Sequence, residues 1–280
     1  MLLMLRLLTI ISLLSISIFA KSSNSIDDMV LEYEKNRIAQ NKLYKLKSID
    51  IYFKQEIPIK GWFGYVFNLK LLINDKVMDI KDTLFTNGTA IAQDLKQLKN
   101  GKSYKEFLSK KLSSSYYNDE HFIAGNKEAK NKIVLFSDPL CPFCLDYVPE
   151  VIEYVKKHNK NIALYYYHYP LLKLHPASNI VTKAMVVASN IGISNVISKI
   201  YGANFDGKFD VDETNNQKIL DEINNVLNTN ITLDQVVSED IESVLKNDRK
   251  LAKDIFIKGT PTIYINGYVD NSRIKFKNIK

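Results

Sequence analysis

The sequence predicts an α/β domain with a parallel sheet in the second part of the chain and a small α+β domain before it. The α/β prediction depends on two apolar, strand-like runs, residues 132–137 and 161–169, separated by a segment with apolar residues at helical spacing. Strand, helix and strand in this order form a right-handed βαβ unit with parallel strands. The α+β prediction depends on apolar–polar alternation within residues 49–85. With 280 residues, the chain is long enough for two cores.

Residues 1–20 are predicted to be a secretory signal peptide. Arg6 provides a positive start, residues 7–19 are almost wholly apolar, and Ala20 ends the run with a small residue. The alternative is an uncleaved anchor, although the apolar run is short for a spanning helix, which needs about 20 residues. Either arrangement exports the rest of the protein.

The charge of the chain does not indicate a nucleic-acid partner. The formal net charge is +7, but the basic residues are mostly scattered lysines, without an arginine-rich stripe or a basic cluster. We interpret them as a solvated surface and expect no binding of nucleic acid.

Residues 21–89 are predicted to form the α+β domain. A first helix over residues 25–39 would have four apolar residues on one side: Ile26, Met29, Val30 and Tyr33. Three alternating segments follow, with turn residues between them: 49–54, 65–73 and 77–85. They predict an antiparallel sheet of three or four strands without a candidate catalytic pair.

Residues 90–116 are predicted to be a charged, partly helical linker. Asn100-Gly101 interrupts the segment, and Ser103 with Glu106 forms a capping-box pattern that begins a second helical piece.

Residues 117–280 are predicted to form the α/β domain. A short edge strand, residues 122–125, precedes the βαβ unit, and a helical insertion covers about residues 173–257. Residues 262–265 and 274–277 are predicted to form a closing hairpin around Asn266-Gly267.

The only two cysteines, Cys141 and Cys144, lie between the strand and the helix of the βαβ unit. Cys141 is predicted at the helix N-terminus and Pro142 at the first helical position, where its missing N–H costs nothing. Unpaired backbone N–H groups and the helix dipole stabilise a thiolate there, and C-x-x-C pairs at such sites have lowered pKa values. We therefore predict a thiol–disulfide oxidoreductase in which Cys141 is the exposed attacking thiol and Cys144 the buried resolving thiol.

Two other uses of the cysteines are weaker hypotheses. A structural disulfide between Cys141 and Cys144 would close a very short loop and remove little entropy from the unfolded chain. A zinc site needs four ligands, but there is no second C-x-x-C, and the four histidines have no ligand spacing. We predict a redox-active disulfide and neither a metal nor another cofactor.

Two prolines strengthen the redox hypothesis. Pro149 lies eight residues after Cys141, inside the predicted helix, where a proline is expected to cause a kink. Pro261 follows Thr260 at the start of an apolar strand, where an ordinary trans proline is the alternative.

The C-x-x-C pair, the later proline and the Gly-Thr-Pro segment together resemble the thioredoxin fold. In that fold the second proline is cis and packs beside the cysteines. The resemblance implies that Thr260 and Pro261 bind substrate, with the backbone of Thr260 pairing with an extended client segment.

Residues 136–144, FSDPLCPFC, resemble the active-site segment of the DsbC/DsbG group of disulfide isomerases. The order of export signal, small sheet, linker and thioredoxin domain with a helical insertion is similar to that group. The resemblance implies a periplasmic isomerase or reductase that forms a homodimer through its N-terminal domain. Its clients would be unfolded or misoxidised exported proteins, and its redox partner a DsbD-like reductant or DsbB-like oxidant in the membrane. Pro142 and Phe143 would tune the redox potential.

Some features depart from this group. Leu135 occupies the position of a buried acid in thioredoxin, so proton transfer to Cys144 must use another group or water, and Asp138 is nearer in sequence. The second disulfide of DsbC is absent, and residues 168–178 resemble DsbA relatives.

Other functions therefore stay open. The first is a DsbA-like primary thiol oxidase with an added dimer domain. The second is a dimeric chaperone with secondary redox activity, whose client surface would include Trp62, Phe63 and Tyr65, although these residues fit a sheet core or dimer interface better. A reduced Cys141 would also suit the rescue of sulfenylated cysteines.

Overall fold

The computed structural model describes residues 25–279, so the predicted signal peptide lies outside the described residues. Within that range, no helix is both long and apolar enough to cross a membrane. The described chain contains a four-stranded sheet in its N-terminal part and a five-stranded sheet in its C-terminal part. Different apolar clusters pack against the two sheets.

The N-terminal sheet agrees with the alternation of the sequence. Its strands are antiparallel and lie in chain order: β1 (Lys45–Glu56), β2 (Phe63–Ile73), β3 (Lys76–Thr86) and β4 (Ile91–Ala92). The turn between β2 and β3 consists of Asn74 and Asp75, whose φ angles of 46° and 60° match the two-residue turns that suit the twist of a hairpin.

Helix α1 (Ile26–Ala39) packs on this sheet through a different side from the one predicted. Its buried residues are Val30, Glu34 and Ile38. Of the four apolar residues predicted to share one side, only Val30 is buried, and Ile26, Met29 and Tyr33 are exposed. The reason is a buried charge pair, because Arg37 Nε donates to the Glu34 carboxylate at 2.8 Å and so allows a carboxylate to face the sheet.

The predicted helical linker is wrong, because residues 90–116, all of them described, contain no α-helix. Ser103 does cap a helical segment, but this segment is only a 3₁₀ turn, Tyr104–Phe107. Leu108, directly after it, is buried in a cluster with Val66 and Phe85 of the N-terminal sheet. Packing of the linker on that sheet therefore overrides its helical propensity.

The C-terminal sheet has the order β5-β7-β6-β8-β9. Its strands are β5 (Phe122–Gly125), β6 (Asn131–Ser137), β7 (Ile162–His168), β8 (Thr262–Ile265) and β9 (Tyr268–Val269). Strands β6 and β7 are parallel and flank helix α2 (Pro142–Lys157), which confirms the βαβ unit.

The closing hairpin differs from its prediction. Asn266-Gly267 does form the turn, with φ angles of 52° and 86°, but the second strand is β9 and not residues 274–277. Those residues lie largely in a 3₁₀ turn, Lys275–Asn278. A two-residue turn pairs the residues directly next to it, so the partner strand had to begin at Tyr268.

The predicted helical insertion contains five helices. They are α3 (Ser178–Asn190), α4 (Val196–Tyr201), α5 (Asn216–Leu227), α6 (Leu233–Val236) and α7 (Glu239–Asp254). Successive residues of β6 point to opposite sides of the sheet. Leu135 joins the cluster formed with α2 to α5, whereas Val134 and Phe136 join a second cluster that includes Ala252 of α7.

The N-terminal sheet contacts the C-terminal part of the chain close to Pro261. Phe256 packs against Phe53 of β1, with 6.5 Å between ring centroids, and adjoins the buried cluster that contains Leu108. Tyr52, beside Phe53, also donates a hydrogen bond from its hydroxyl to the Asp254 carbonyl. These contacts hold the segment that leads to Pro261 against the first domain.

Candidate active site

The cysteine pair lies at the junction of β6 and α2, as predicted. Cys141 is the N-cap residue of α2, and Pro142 is at the start of the helix. The N–H groups of Cys144 and Leu145 donate to the Cys141 carbonyl at 2.8 and 3.2 Å and close the first turn. The helix continues through Pro149 to its end at Lys157.

The burial of the two cysteines agrees with the prediction for Cys144 only. Cys144 is fully buried, but Cys141 is also only 4% exposed, so the prediction of an exposed attacking thiol is wrong. The segment around Thr260 lies beside Cys141, whose Sγ is 3.7 Å from the Thr260 carbonyl oxygen.

The Thr260–Pro261 peptide bond is cis, as the resemblance implied. Thr262 Oγ1 donates to the Gly259 carbonyl at 2.7 Å and closes the turn around this bond. The Thr260 hydroxyl is buried and has no hydrogen-bond partner among the described residues. The structure thus brings Thr260 and Pro261 to the cysteine pair from a distant part of the chain.

The two thiols differ strongly in acidity. The pKa of Cys141 is lowered to about 5, chiefly by a hydrogen bond from Cys144. The backbone N–H groups of Phe143 and Cys144 also favour the thiolate, and burial opposes it. The pKa of Cys144 is raised, chiefly by burial and then by its hydrogen bond to Cys141. At neutral pH, Cys141 is therefore the thiolate nucleophile, and Cys144 keeps its proton until it reacts.

This difference predicts the pH dependence of alkylation. Because the pKa of Cys141 is lowered, its thiolate forms as the pH rises through about 5, so the alkylation rate should reach its plateau well below neutral pH. Ultraviolet absorbance of the thiolate should titrate with the same midpoint. In Cys144→Ala the largest stabilising contact is lost, and the midpoint should move up. A wild-type midpoint near the ordinary thiol pKa of about 8.5 would contradict the expectation.

Asp138, whose orientation the sequence left open, anchors the segment before the cysteines. Its buried carboxylate accepts four hydrogen bonds: from Leu140 N–H at 2.9 Å, Leu171 N–H at 2.8 Å, His175 Nδ1 at 2.8 Å and Ser178 Oγ at 2.5 Å. These donors occupy the acceptor positions of a carboxylate, so we assign Asp138 to anchoring and not to proton transfer with Cys144.

His175 and Ser178 are site residues that sequence reasoning missed. They lie in residues 168–178, where the sequence indicated only a resemblance to DsbA relatives. Through Asp138 they connect the loop between β7 and α3 to the cysteine segment. The available signal was a histidine and a serine three residues apart, which by itself does not identify a partner.

Pro142 and Phe143 extend from the site to the surface. Phe143 is 75% exposed, and its backbone N–H favours the Cys141 thiolate. Their influence on the redox potential stays a prediction. The aromatic residues of the alternative client-binding surface are largely core. Tyr65 is buried and Trp62 packs against the cluster around Leu108, whereas Phe63 is partly exposed.

A groove of about 520 Å³ lies beside the cis proline. Its lining includes Lys102 and Glu106 of the linker segment, together with residues 258–263 and 269–273 of the catalytic part. Both parts of the chain therefore border the groove that leads to Thr260.

A stabilised thiolate at a helix N-terminus, a buried second thiol and a cis proline beside them are suited to one chemistry, the exchange of disulfides. The molecule is a thiol–disulfide oxidoreductase with a thioredoxin fold. The chain belongs to the thioredoxin family, whose model matches residues 117–280, more than half of its length. No curated protein matches the chain.

Several solved structures are similar to part of the chain. A candidate protein-disulfide isomerase from Pseudomonas syringae is 16% identical, with a TM-score of 0.48 over 55% of this chain and 90% of that chain. BdbD from Bacillus subtilis is 17% identical, with a TM-score of 0.47 over 61% and 92%. ScsC from Proteus mirabilis, in a transitional conformation, is 20% identical, with a TM-score of 0.46 over 59% and 71%.

Proposed function

We propose that the protein is a disulfide isomerase or reductase for exported proteins and uses the Cys141 thiolate to attack wrong disulfides. The observation that carries this proposal is the groove beside Thr260, because linker residues Lys102 and Glu106 border it together with the catalytic part. Simple oxidation needs only the cysteine pair. A groove shared by both parts of the chain favours an enzyme that holds a misfolded client while its disulfides rearrange.

The proposed reaction begins with the reduced pair. The Cys141 thiolate attacks a client disulfide, forms a mixed disulfide and releases a client thiolate, while the backbone of Thr260 pairs with the client segment. In isomerisation, a client thiolate then attacks the client sulfur and restores the Cys141 thiolate. In reduction, Cys144 attacks Cys141 instead, so the client leaves reduced and the Cys141–Cys144 disulfide forms.

We further propose export through residues 1–20 to the periplasm and assembly as a homodimer through the N-terminal domain. The exposed apolar residues of α1, namely Ile26, Met29 and Tyr33, support the pairing of two copies. A DsbD-like membrane reductant would restore the dithiol after each reduction. Sedimentation of the protein and of a Met29→Lys variant tests the pairing, because a dimer that uses this surface should dissociate in the variant.

The low pKa of Cys141 favours a second candidate, a DsbA-like primary thiol oxidase. A stabilised thiolate stabilises the reduced pair and makes the Cys141–Cys144 disulfide a stronger oxidant. A DsbB-like membrane oxidant would then keep the pair oxidised.

Reactivation of a scrambled multi-disulfide protein in a glutathione buffer distinguishes the candidates. We expect the protein without residues 1–20 to reactivate it, and the double variant Lys102→Glu, Glu106→Lys to do so more slowly while oxidising a small dithiol peptide normally. Lys99→Glu is the control, because Lys99 is an exposed lysine of the same segment that does not line the groove. Rapid oxidation of a reduced client without reactivation would favour the oxidase.

A further inference from the structure

Three buried hydroxyl groups form a chain on the side of the sheet where Cys144 lies. The Ser137 and Tyr201 hydroxyl oxygens are 2.7 Å apart, and those of Tyr201 and Tyr166 are 2.9 Å apart. Tyr166, Tyr201 and Cys144 belong to one buried cluster, and Ser137 is fully buried as well. Alternation along β6 places Ser137 on the same side as Leu135, the side that α2 covers.

Apart from Cys141, the groups that affect the pKa of Cys144 by hydrogen bonding are uncharged. The Ser137 hydroxyl and the Asp138 N–H both favour its thiolate, against the larger effect of burial. The Asp138 carboxylate is occupied by its four donors and is not needed for this contact. These neutral donors therefore partly offset the cost of burying a Cys144 thiolate, and such donors have a large effect in a buried site.

The hydroxyl chain has one orientation in which Ser137 donates to the Cys144 thiolate. Each hydroxyl has a single proton to donate. If Ser137 donates to Cys144, Tyr201 must donate to Ser137, and Tyr166 must donate to Tyr201. All three O–H groups then point towards the sulfur, and each hydrogen bond strengthens the next.

We propose that Ser137 is a catalytic residue of the resolving step and that Tyr201 and Tyr166 are positioning residues that orient its hydroxyl. In this step Cys144 Sγ attacks Cys141 Sγ of the mixed disulfide. The bond between Cys141 and the client sulfur breaks, the Cys141–Cys144 bond forms, and the proton of Cys144 is taken up by the departing client thiolate. In the reverse direction, the same hydroxyl stabilises Cys144 as the leaving thiolate. The inference rests on thiol–disulfide exchange and holds for both an isomerase and an oxidase.

The test uses the reduced protein without residues 1–20 and a small aromatic disulfide that releases a coloured thiolate. The first equivalent is released when Cys141 attacks, and the second when Cys144 resolves the mixed disulfide. We expect Ser137→Ala and Tyr201→Phe to slow the second release by about tenfold, the effect of losing a hydrogen bond to a charged group, and to leave the first unchanged. The pH profile of the second release should move to higher pH in both variants.

Tyr167→Phe is the matched control. Tyr167 follows Tyr166 on β7 but lies on the opposite side of the sheet, where its hydroxyl donates to the Tyr116 carbonyl at 3.1 Å. The variant removes the same atom as Tyr201→Phe, a buried tyrosine hydroxyl oxygen, and both releases should stay at the wild-type rate. The proposal is overturned if Ser137→Ala and Tyr201→Phe resolve at the wild-type rate, or if Tyr167→Phe slows the second release equally. Absence of the first release in the wild-type protein would overturn the exchange chemistry itself.

Discussion

Cys141→Ser is expected to abolish disulfide exchange, whereas Cys144→Ser should preserve the first attack and trap clients as mixed disulfides. Cys141 is the thiol with the lowered pKa and supplies the attacking thiolate at neutral pH. Cys144 is fully buried, has a raised pKa and is needed only to resolve the mixed disulfide. Loss of Cys141 therefore prevents the first attack, whereas loss of Cys144 stops the reaction at the mixed disulfide.

The measurement is electrophoresis without reductant after incubation with a disulfide-bonded client, followed by mass spectrometry of the adduct. We expect a covalent complex through Cys141 in Cys144→Ser and none in Cys141→Ser. The double serine variant is the control for non-covalent association. A complex of equal yield in Cys141→Ser would show that Cys144 can attack directly and would contradict the assigned roles.

Asp138→Asn should lower the free energy of unfolding by about 3 kcal/mol, because it replaces a buried carboxylate that is held by hydrogen bonds. The carboxylate accepts from four donors, and the amide of asparagine presents an NH₂ group to some of them, among them His175 and Ser178. The loop between β7 and α3 then loses its attachment to the segment before Cys141. Denaturant unfolding of the reduced variant and wild-type proteins measures the change.

The control for Asp138→Asn is Asp146→Asn, the same substitution at an exposed position of α2. It should change the free energy of unfolding by less than about 0.5 kcal/mol, as for an ordinary surface site. If both variants unfold at the same denaturant concentration as the wild type, the four hydrogen bonds of Asp138 contribute no net stability, contrary to our expectation.

Elements with strong local signals were predictable from the sequence. Pro142 after Cys141 indicated the start of α2, and the alternation of residues 65–73 indicated a strand of the first sheet. Asn266-Gly267 indicated the last turn, although the strand after the turn was misplaced by several residues. In each case the signal acts over a few neighbouring residues, so the rest of the fold need not be known.

The burial of particular faces was less predictable. The capping residue Ser103 was identified, but the following segment packs on the first sheet through Leu108 and forms no α-helix. The apolar pattern of α1 suggested the wrong side, since the buried Glu34 pairs with Arg37. A periodic pattern indicates which residues share a face, but the partner surface decides which face is covered.

The sequence by itself determined the chemistry, because C-x-x-C after a strand and before a helix places a thiolate at a helix N-terminus. Only the tertiary structure decided what surrounds the two sulfurs. Thr260 reaches Cys141 across 119 residues, and the Tyr201 hydroxyl reaches Ser137 across 64. Such contacts leave no periodic signal in the chain, because they arise from the packing of β6, β8 and α4 around one core. The identity of the nucleophile is therefore a local property, and the acidity and protonation of the pair are properties of the fold.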